Sequence, residues 1–106
     1  MSIVSRMVGK GNMFYIMGST PEPAGDVKSQ TERLLTHIDE LLATAGIDKS
    51  KLLTAGVALA DMALLPDLNA AWNRWVDPKH PPLRVCRVAV LDEPGSVVRI
   101  EVTAAK

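Results

Sequence analysis

Two spacings of apolar residues alternate along the chain, one typical of strands and one typical of helices. Short apolar runs from Ile3 to Val8 and from Met13 to Met17 predict two strands, and the sequence GKGN between them predicts a hairpin turn. The next segment, Gly18 to Asp26, holds two prolines and two glycines and is predicted to be a loop.

The segment after this loop has the period of an amphipathic helix. Asp26 is its predicted N-cap, and Gly46 is predicted to end it, with Ile47 packing back on the last turn. The apolar positions that recur at helical spacing are Val27, Leu34, Leu35, Ile38, Leu41 and Leu42.

A strand and a second helix follow. Lys51 to Met62 predicts a strand buried on both faces, and Gly56 within it indicates a close neighbour. A helix is predicted from about Pro66, and the segment DPKHPP ends it. In the strand, small residues alternate with Leu53, Ala55, Val57 and Leu59. The predicted apolar stripe of the helix consists of Leu68, Trp72, Trp75 and Val76.

The last third of the chain predicts a second hairpin, with Val85 to Leu91 and Val97 to Ala104 paired around DEPG. Alternation then sorts the side chains onto two faces. The face expected to carry the helices holds Val85, Ala89, Leu91, Val98, Ile100, Val102 and Ala104, with Arg87 as its polar exception. The other face holds Arg84, Cys86, Val88, Val90, Val97, Arg99, Glu101 and Thr103.

Three exposed valines on that second face need a cover, because both helices are committed to the first. Another copy of the chain is the simplest cover. The pattern therefore predicts a homo-oligomer that packs sheet faces together, with Arg84, Arg99 and Glu101 at or near the seam.

Composition narrows the classes of function. The 106 residues make one domain, 1–106, and twelve Lys and Arg balance twelve Asp and Glu, with no basic run. Neutral charge and an aromatic share of 4% argue against nucleic acid as a partner. The single cysteine, Cys86, suits a reducing compartment, and no segment is as long as a membrane span, so the expected location is the cytoplasm and no membrane contact is expected.

Arg84 is the strongest candidate for binding chemistry. It follows two prolines at the start of an apolar strand, and a guanidinium there can hold a carboxylate in a bidentate manner. Two partners are equally compatible with the pattern: Glu101, diagonal to it in the predicted register, or the carboxylate of a ligand. Glu101 could also act as a general acid or base, although a carboxylate paired with arginine is more often structural.

The other candidates have simpler interpretations. Cys86 is expected to pack or to line a pocket, since no histidine is placed beside it. His37 and His80 have no partners at ligand spacing, so no metal is expected. Asn69, early in the second helix, reads as a surface or capping residue, and Trp72 and Trp75 as core and rim. The residues thus predict an oligomeric α+β domain with an arginine-anchored pocket, but no reaction.

Several stretches resemble the reactive intermediate deaminase (RidA or YjgF-like) family: GNMFYIMGSTP, QTERLLTHIDELLATAG, WNRWVDPKHPPLRVC and the closing VVRIEVTAA. The resemblance covers nearly the whole chain. It implies a chorismate-mutase-like α+β fold, with a mixed, mostly antiparallel sheet and two helices on one face, and a homotrimer with sites between subunits. It also implies hydrolysis of reactive enamines and imines, such as 2-aminoacrylate and 2-iminopropanoate, to a 2-keto acid and ammonia without a metal or organic cofactor.

The resemblance assigns roles to four residues directly. The arginine that clamps the substrate carboxylate matches Arg84, and the glycine after the second strand matches Gly18. The helix asparagine matches Asn69, and the small or cysteine position two after the arginine matches Cys86. These positions are therefore expected to bind substrate.

Three family positions are replaced. The water-activating glutamate falls on Arg99, which cannot act as a base at neutral pH. The active-site serine falls on Met17, and the N-terminal tyrosine falls on Val4. Glu101 aligns with a second family glutamate, two residues on and on the same face.

Two hypotheses fit these departures. In the first, Glu101 activates water, backbone amides near Gly18 steady the developing charge, and Arg99 adds a second clamp for a doubly anionic or larger ligand. In the second, the trimer binds a small organic anion through Arg84 and Arg99 as a sensor or regulator, without turnover. RNA cleavage, attached to some family members, is disfavoured by the neutral charge and scarce aromatics.

Overall fold

Five strands form a sheet, and two helices cover one of its faces, in the computed structural model, which describes residues 4–19 and 24–106. The strands lie in the order β1-β2-β5-β3-β4, and every neighbouring pair is antiparallel except β3 and β4. The predicted α+β class is confirmed. The elements are β1 Met7–Lys10, β2 Met13–Met17, α1 Val27–Thr44, β3 Leu52–Leu59, α2 Leu65–Trp75, β4 Leu83–Val88 and β5 Val98–Ala105.

The first hairpin forms where it was predicted. β2 has the predicted bounds, and Lys10 pairs with Met13 across a turn in which Gly11 has a φ of 62°. A positive φ is readily adopted by glycine, which explains the GKGN signal. The predicted start of the first strand, Ile3, lies outside the described residues, and the strand itself is Met7–Lys10.

Both predicted ends of α1 are confirmed. The Asp26 carboxylate accepts a hydrogen bond from the Ser29 amide at 2.8 Å, and this bond lowers the pKa of Asp26. At the other end Gly46 has a φ of 77°, and the Ile47 amide donates to the Leu42 carbonyl at 3.0 Å. This is the Schellman arrangement that Gly-Ile after a helix indicates.

β3 departs from the predicted alternation at its start. A bulge between Leu52 and Thr54 buries Leu52 and leaves Leu53 47% exposed, so the prediction that Leu53 is buried is wrong. Past the bulge, Ala55, Val57 and Leu59 are buried as predicted. Only this side of the strand is covered by the helices, whereas a strand buried on both faces was predicted.

The predicted second hairpin is wrong. β4 pairs with β3, in parallel, and β5 lies between β2 and β3. The helix between β3 and β4 returns the chain to the end from which β3 started, so β4 runs alongside β3 in the same direction. β5 then occupies a central position, because its alternate residues Val98, Ile100, Val102 and Ala104 are all buried.

This topology inverts the predicted faces of β4 and keeps those of β5. Arg84 pairs with Ala55, so Arg84 and Cys86 share the side of the sheet that the helices cover. Val85 and Arg87 lie on the other side, which we call the open face. The register of β4 is set by its pairing with β3, whereas the predicted register assumed that β4 pairs with β5.

The core lies between the helices and the covered face. Its members are Ile16, Val27, Leu34, Leu35, Ile38, Leu42, Leu52, Ala55, Val57, Leu59, Leu68, Trp72, Val98, Ile100, Val102 and Ala104. Trp72 is buried and Trp75 is half-buried at its edge, which confirms their assignment as core and rim. Of the helices described, none combines the length and apolar character required to cross a membrane.

The open face carries apolar side chains, but not the predicted ones. Its exposed members are Val8, Tyr15, Leu83 and Val85. Val88 is exposed on the other side of β4, Val97 packs against the core, and Val90 follows the strand, so none of the three valines belongs to this face.

Candidate functional site

Arg84 is held in place by two residues of α2. Its Nη2 donates to Asn69 Oδ1 at 2.7 Å, and its guanidinium carbon lies 5.3 Å from the centroid of the Trp72 ring. Asn69 and Trp72 are three residues apart and therefore lie on one side of the helix. Asn69 thus orients the arginine. The predicted surface or capping role of Asn69 does not describe this contact.

The predicted pair between Arg84 and Glu101 does not form within the chain. Glu101 pairs with Gly56 across β5 and β3 and lies on the open face, opposite to Arg84. Within residues 4–19 and 24–106, no carboxylate lies within 4.0 Å of the Arg84 guanidinium. A half-buried cation is therefore held by a neutral amide and an aromatic face, with donors left over for an anion.

Cys86 lies two residues after Arg84 on the same side of β4. Its thiol is free and half-buried, and it packs against the edge of the core. We call Arg84, Asn69, Trp72 and Cys86 the Arg84 cluster.

A second group of predicted residues lines a cleft of about 490 Å³ at the other end of the sheet. Val4, Met17 and Arg99 all line it, so the three positions that depart from the residues implied by the resemblance lie side by side. Gly18 lines it as well. Arg6, which sequence reasoning did not single out, also lines it. We call this cavity the Arg99 cleft.

Gly18 sits against α1 with no room for a side chain. A Cβ atom there would lie 3.0 Å from both the Leu34 carbonyl oxygen and Ile38 Cγ1. The Gly18 amide donates to the Ile100 carbonyl, and the Ser19 amide donates to His37 Nδ1, each at 3.0 Å. Both amides are therefore already bonded, so the expectation that they steady a developing charge is wrong for these two.

Replacing Gly18 by alanine is expected to lower the free energy of unfolding by about 1–3 kcal/mol, because the added methyl group meets a backbone carbonyl that cannot turn away. Urea denaturation measures the change. Ala63→Ser, which adds one atom at an exposed position, is the control. A Gly18→Ala protein as stable as the wild type would show that α1 can move away from the strand.

Gln30 is a structural residue of the cleft that sequence reasoning missed. Its side chain is 2% exposed; Nε2 donates to the carbonyls of Gly25 at 3.2 Å and Gly95 at 2.8 Å, and Oε1 accepts from the Val97 amide at 2.9 Å. It therefore ties the loop before α1 to the loop before β5. Its position three after Val27 and four before Leu34, on the apolar stripe, was the available signal.

Glu101 has a defined place on the open face. Its carboxylate lies over Gly56, where a Cβ atom would come within 3.0 Å of Oε1. It shares one hollow of about 260 Å³ with Arg87 and Arg99. Arg6, Arg87 and Arg99 thus lie on its side of the sheet, and Arg84 is on the other side.

The two clusters cannot hold one small ligand within a single chain. Arg84 pairs with Ala55 on β3, and Arg99 pairs with Ala58 on the far side of the same strand. Two strand spacings and three residue rises put their Cα atoms roughly 14 Å apart, and their side chains leave opposite faces. A metabolite of a few carbon atoms does not span that distance through the sheet.

The fold and these two clusters define an α+β domain with a mixed sheet, one covered face and two arginine-bearing sites. A sequence model of the family described as Endoribonuclease L-PSP matches residues 3–106. The chain therefore belongs to this family, which is the RidA/YjgF family. The predicted family resemblance is confirmed.

Individual relatives agree with this assignment. A RutC family protein of Haemophilus influenzae is 41% identical over 95 residues, which cover 88% of this chain and 82% of the relative. The structure of a YjgF family member from Neisseria meningitidis superposes with a TM-score of 0.91 at 35% identity, over 97% of this chain and 87% of that one. RidA from an Antarctic Psychrobacter, at 24% identity, shares the fold with a TM-score of 0.89 over 99% of this chain and 89% of that one.

Proposed function

We propose that this protein hydrolyses small reactive imines and enamines that carry a carboxylate, giving a 2-keto acid and ammonia. The observation that carries the proposal is the state of Arg84, whose charge is half-buried, oriented by Asn69 and Trp72, and without a carboxylate partner among the described residues. A planar fork with free donors fits a substrate carboxylate. Family membership supports the same general role.

The proposal includes a homotrimer with its sites between subunits. The open face presents exposed apolar side chains that a second copy would cover. In addition, the Arg84 cluster and the Arg99 cleft lie too far apart to share a ligand in one chain. Placing the Arg84 cluster of one protomer against the Arg99 cleft of its partner would complete a single site.

The proposed reaction adds water across the carbon–nitrogen double bond. Glu101 takes a proton from the attacking water, whose oxygen bonds to the imine carbon, and gives that proton to the nitrogen. The carbinolamine then collapses: the hydroxyl proton passes to the nitrogen as the carbonyl forms, the carbon–nitrogen bond breaks, and ammonia leaves. An enamine such as 2-aminoacrylate first becomes the imine by gaining a proton at its terminal carbon and losing one from its nitrogen. Arg84 holds the carboxylate throughout and thereby fixes the imine carbon relative to the water.

The test follows the decay of 2-iminopropanoate generated from alanine by an amino-acid oxidase. We expect wild-type protein to accelerate the decay, and Glu101→Gln to lower kcat/KM by about 100-fold or more, since amide nitrogen and oxygen cannot take the proton. Glu40→Gln, the same change on an exposed turn of α1, is the control and is expected to stay within about twofold of wild type.

Each outcome is informative. Acceleration that survives Glu101→Gln would keep the hydrolase and remove Glu101 as the base. Absence of acceleration by the wild type would overturn the proposed activity.

The second candidate is a protein that binds a small organic anion without converting it. The presence of an arginine at position 99 favours this candidate. Its guanidinium lines both the cleft and the hollow of Glu101, and it offers only hydrogen-bond donors there. This candidate predicts that 2-keto acids raise the melting temperature, through Arg84, in a protein that leaves imine decay unchanged.

A further inference from the structure

The Arg99 cleft contains two guanidinium groups that lack strong partners. Arg6 donates to the Met17 thioether sulfur at 3.6 Å, a weak acceptor, and no carboxylate of the described residues lies within 4.0 Å of it. Arg99 has Asp92 as its ion-pair partner, at 3.7 Å, which is beyond hydrogen-bond distance.

The acidic groups of the cleft do not neutralise these cations well. The Asp92 side chain is 87% exposed, and Glu93, in the same loop, is exposed too. Pairs of this kind contribute little in water and are readily exchanged for another anion. The cleft therefore offers two forks of donors to a bound molecule.

The frame around the arginines is rigid and of suitable size. Arg99 lies on the central strand β5 and pairs with Ala58, and Gln30 fixes the wall of the cleft through three hydrogen bonds. The volume of about 490 Å³ is within the range of small-molecule sites, roughly 300–1,000 Å³.

We infer that the Arg99 cleft, with Arg99 and Arg6, binds a second carboxylate, so that the substrate class is 2-imino dicarboxylates of four or five carbons. This inference rests on the proposed function, in which Arg84 of a neighbouring copy holds the carboxylate next to the imine. A substrate with an apolar side chain would cover Arg99 and Arg6 with only the weak Asp92 pair beside them, and the desolvation of the two cations would oppose binding. A second carboxylate on the side chain gives both guanidinium groups an anionic acceptor.

The experiment compares imines generated from four amino acids by oxidases. 2-Aminobutyrate and norvaline supply the monocarboxylates of four and five carbons, and aspartate and glutamate supply the dicarboxylates of the same lengths. For wild-type protein we expect kcat/KM to be at least about tenfold higher for a dicarboxylate than for the monocarboxylate of equal chain length. Arg99→Gln is expected to remove that preference.

Two variants sharpen the comparison. Arg99→Lys keeps the charge without the fork and is expected to retain part of the preference. Arg74→Gln removes an exposed arginine of α2 and is expected to leave all rates unchanged. Melting temperatures measured with 2-oxoglutarate and with 2-oxopentanoate, which has the same chain length, give a second readout that needs no turnover.

The outcomes separate this inference from the proposed function. Hydrolysis with no preference for dicarboxylates, or with a preference that Arg99→Gln leaves intact, overturns the inference and keeps the hydrolase. If no imine is hydrolysed but 2-oxoglutarate stabilises the protein in an Arg99-dependent way, the proposed carboxylate site is supported and the proposed hydrolase activity is overturned. If neither hydrolysis nor stabilisation is found, both are overturned.

Discussion

Arg84→Ala is expected to lower kcat/KM for 2-iminopropanoate by about 100-fold or more, equivalent to roughly 2.7 kcal/mol of transition-state stabilisation. Its guanidinium has a fixed orientation because Asn69 Oδ1 accepts a hydrogen bond from Nη2 at 2.7 Å and the Trp72 ring lies beneath the guanidinium. A substrate carboxylate would therefore meet donors that are already arranged, and little side-chain entropy is lost on binding.

Arg84→Lys is expected to retain only part of the kcat/KM that Arg84→Ala loses. It keeps the charge but offers a compact ammonium in place of a planar fork, and it cannot both bond Asn69 and grip a carboxylate in a bidentate manner. The measurement is the decay of 2-iminopropanoate, and Arg74→Ala, which removes an exposed arginine of α2, is the control.

Stability must be measured in the same variants, since Arg84 also packs on Trp72. Circular dichroism melting of Arg84→Ala separates lost binding from lost structure. A folded Arg84→Ala protein with wild-type kcat/KM would remove Arg84 as the substrate anchor.

Gln30→Glu is expected to be among the most destabilising single changes that keep side-chain volume, at about 3–5 kcal/mol at pH 7.5. The amide nitrogen of Gln30 faces two carbonyl oxygens, those of Gly25 and Gly95. A carboxylate would put oxygen against oxygen at both contacts and place a charge where the side chain is 2% exposed. Gln30→Leu, which leaves the same backbone groups unbonded without adding charge, is expected to cost about 2–4 kcal/mol.

The two variants are distinguished by pH. Burial raises the pKa of a carboxyl group introduced at position 30, because its charged form is disfavoured in the folded state. The Gln30→Glu protein should therefore regain stability as the pH falls from 7.5 to 5, whereas the deficit of Gln30→Leu should stay constant.

Urea denaturation at the two pH values measures both effects. Glu40→Gln provides the exposed exchange of the same groups and is expected to change the unfolding free energy by less than about 0.5 kcal/mol. Wild-type stability of Gln30→Glu at pH 7.5 would mean that the two loops it joins can rearrange around it.

Local patterns predicted the elements whose signals lie within a few residues. Asp26 and Gly46 mark the two ends of α1, because a capping side chain and a residue with positive φ each affect only the adjacent turn. The faces of β5 were predicted correctly because alternation is a property of the strand itself. The family could also be read from the order of motifs along the chain.

The partners of β4 and Arg84 could not be predicted in that way. Alternation sorts the residues of a strand into two sets but leaves open which set faces the core, and that depends on the neighbouring strand and register. The short DEPG segment favoured a hairpin between β4 and β5, whereas β5 is inserted between β2 and β3. Arg84 therefore lies on the face opposite Glu101, and its partner is Asn69, whereas the predicted hairpin placed Arg84 and Glu101 on one face.

The sequence by itself determined the α+β class, the two helices, the inward side of β5 and the presence of an arginine able to hold an anion. Only the tertiary structure decided that Arg84 has no carboxylate partner within residues 4–19 and 24–106, that Arg6 and Arg99 share one cleft, and that Gln30 forms part of its wall. The physical reason is range: caps, turns and alternation act between residues close in the chain, while each of these contacts joins segments that only the packed sheet brings together.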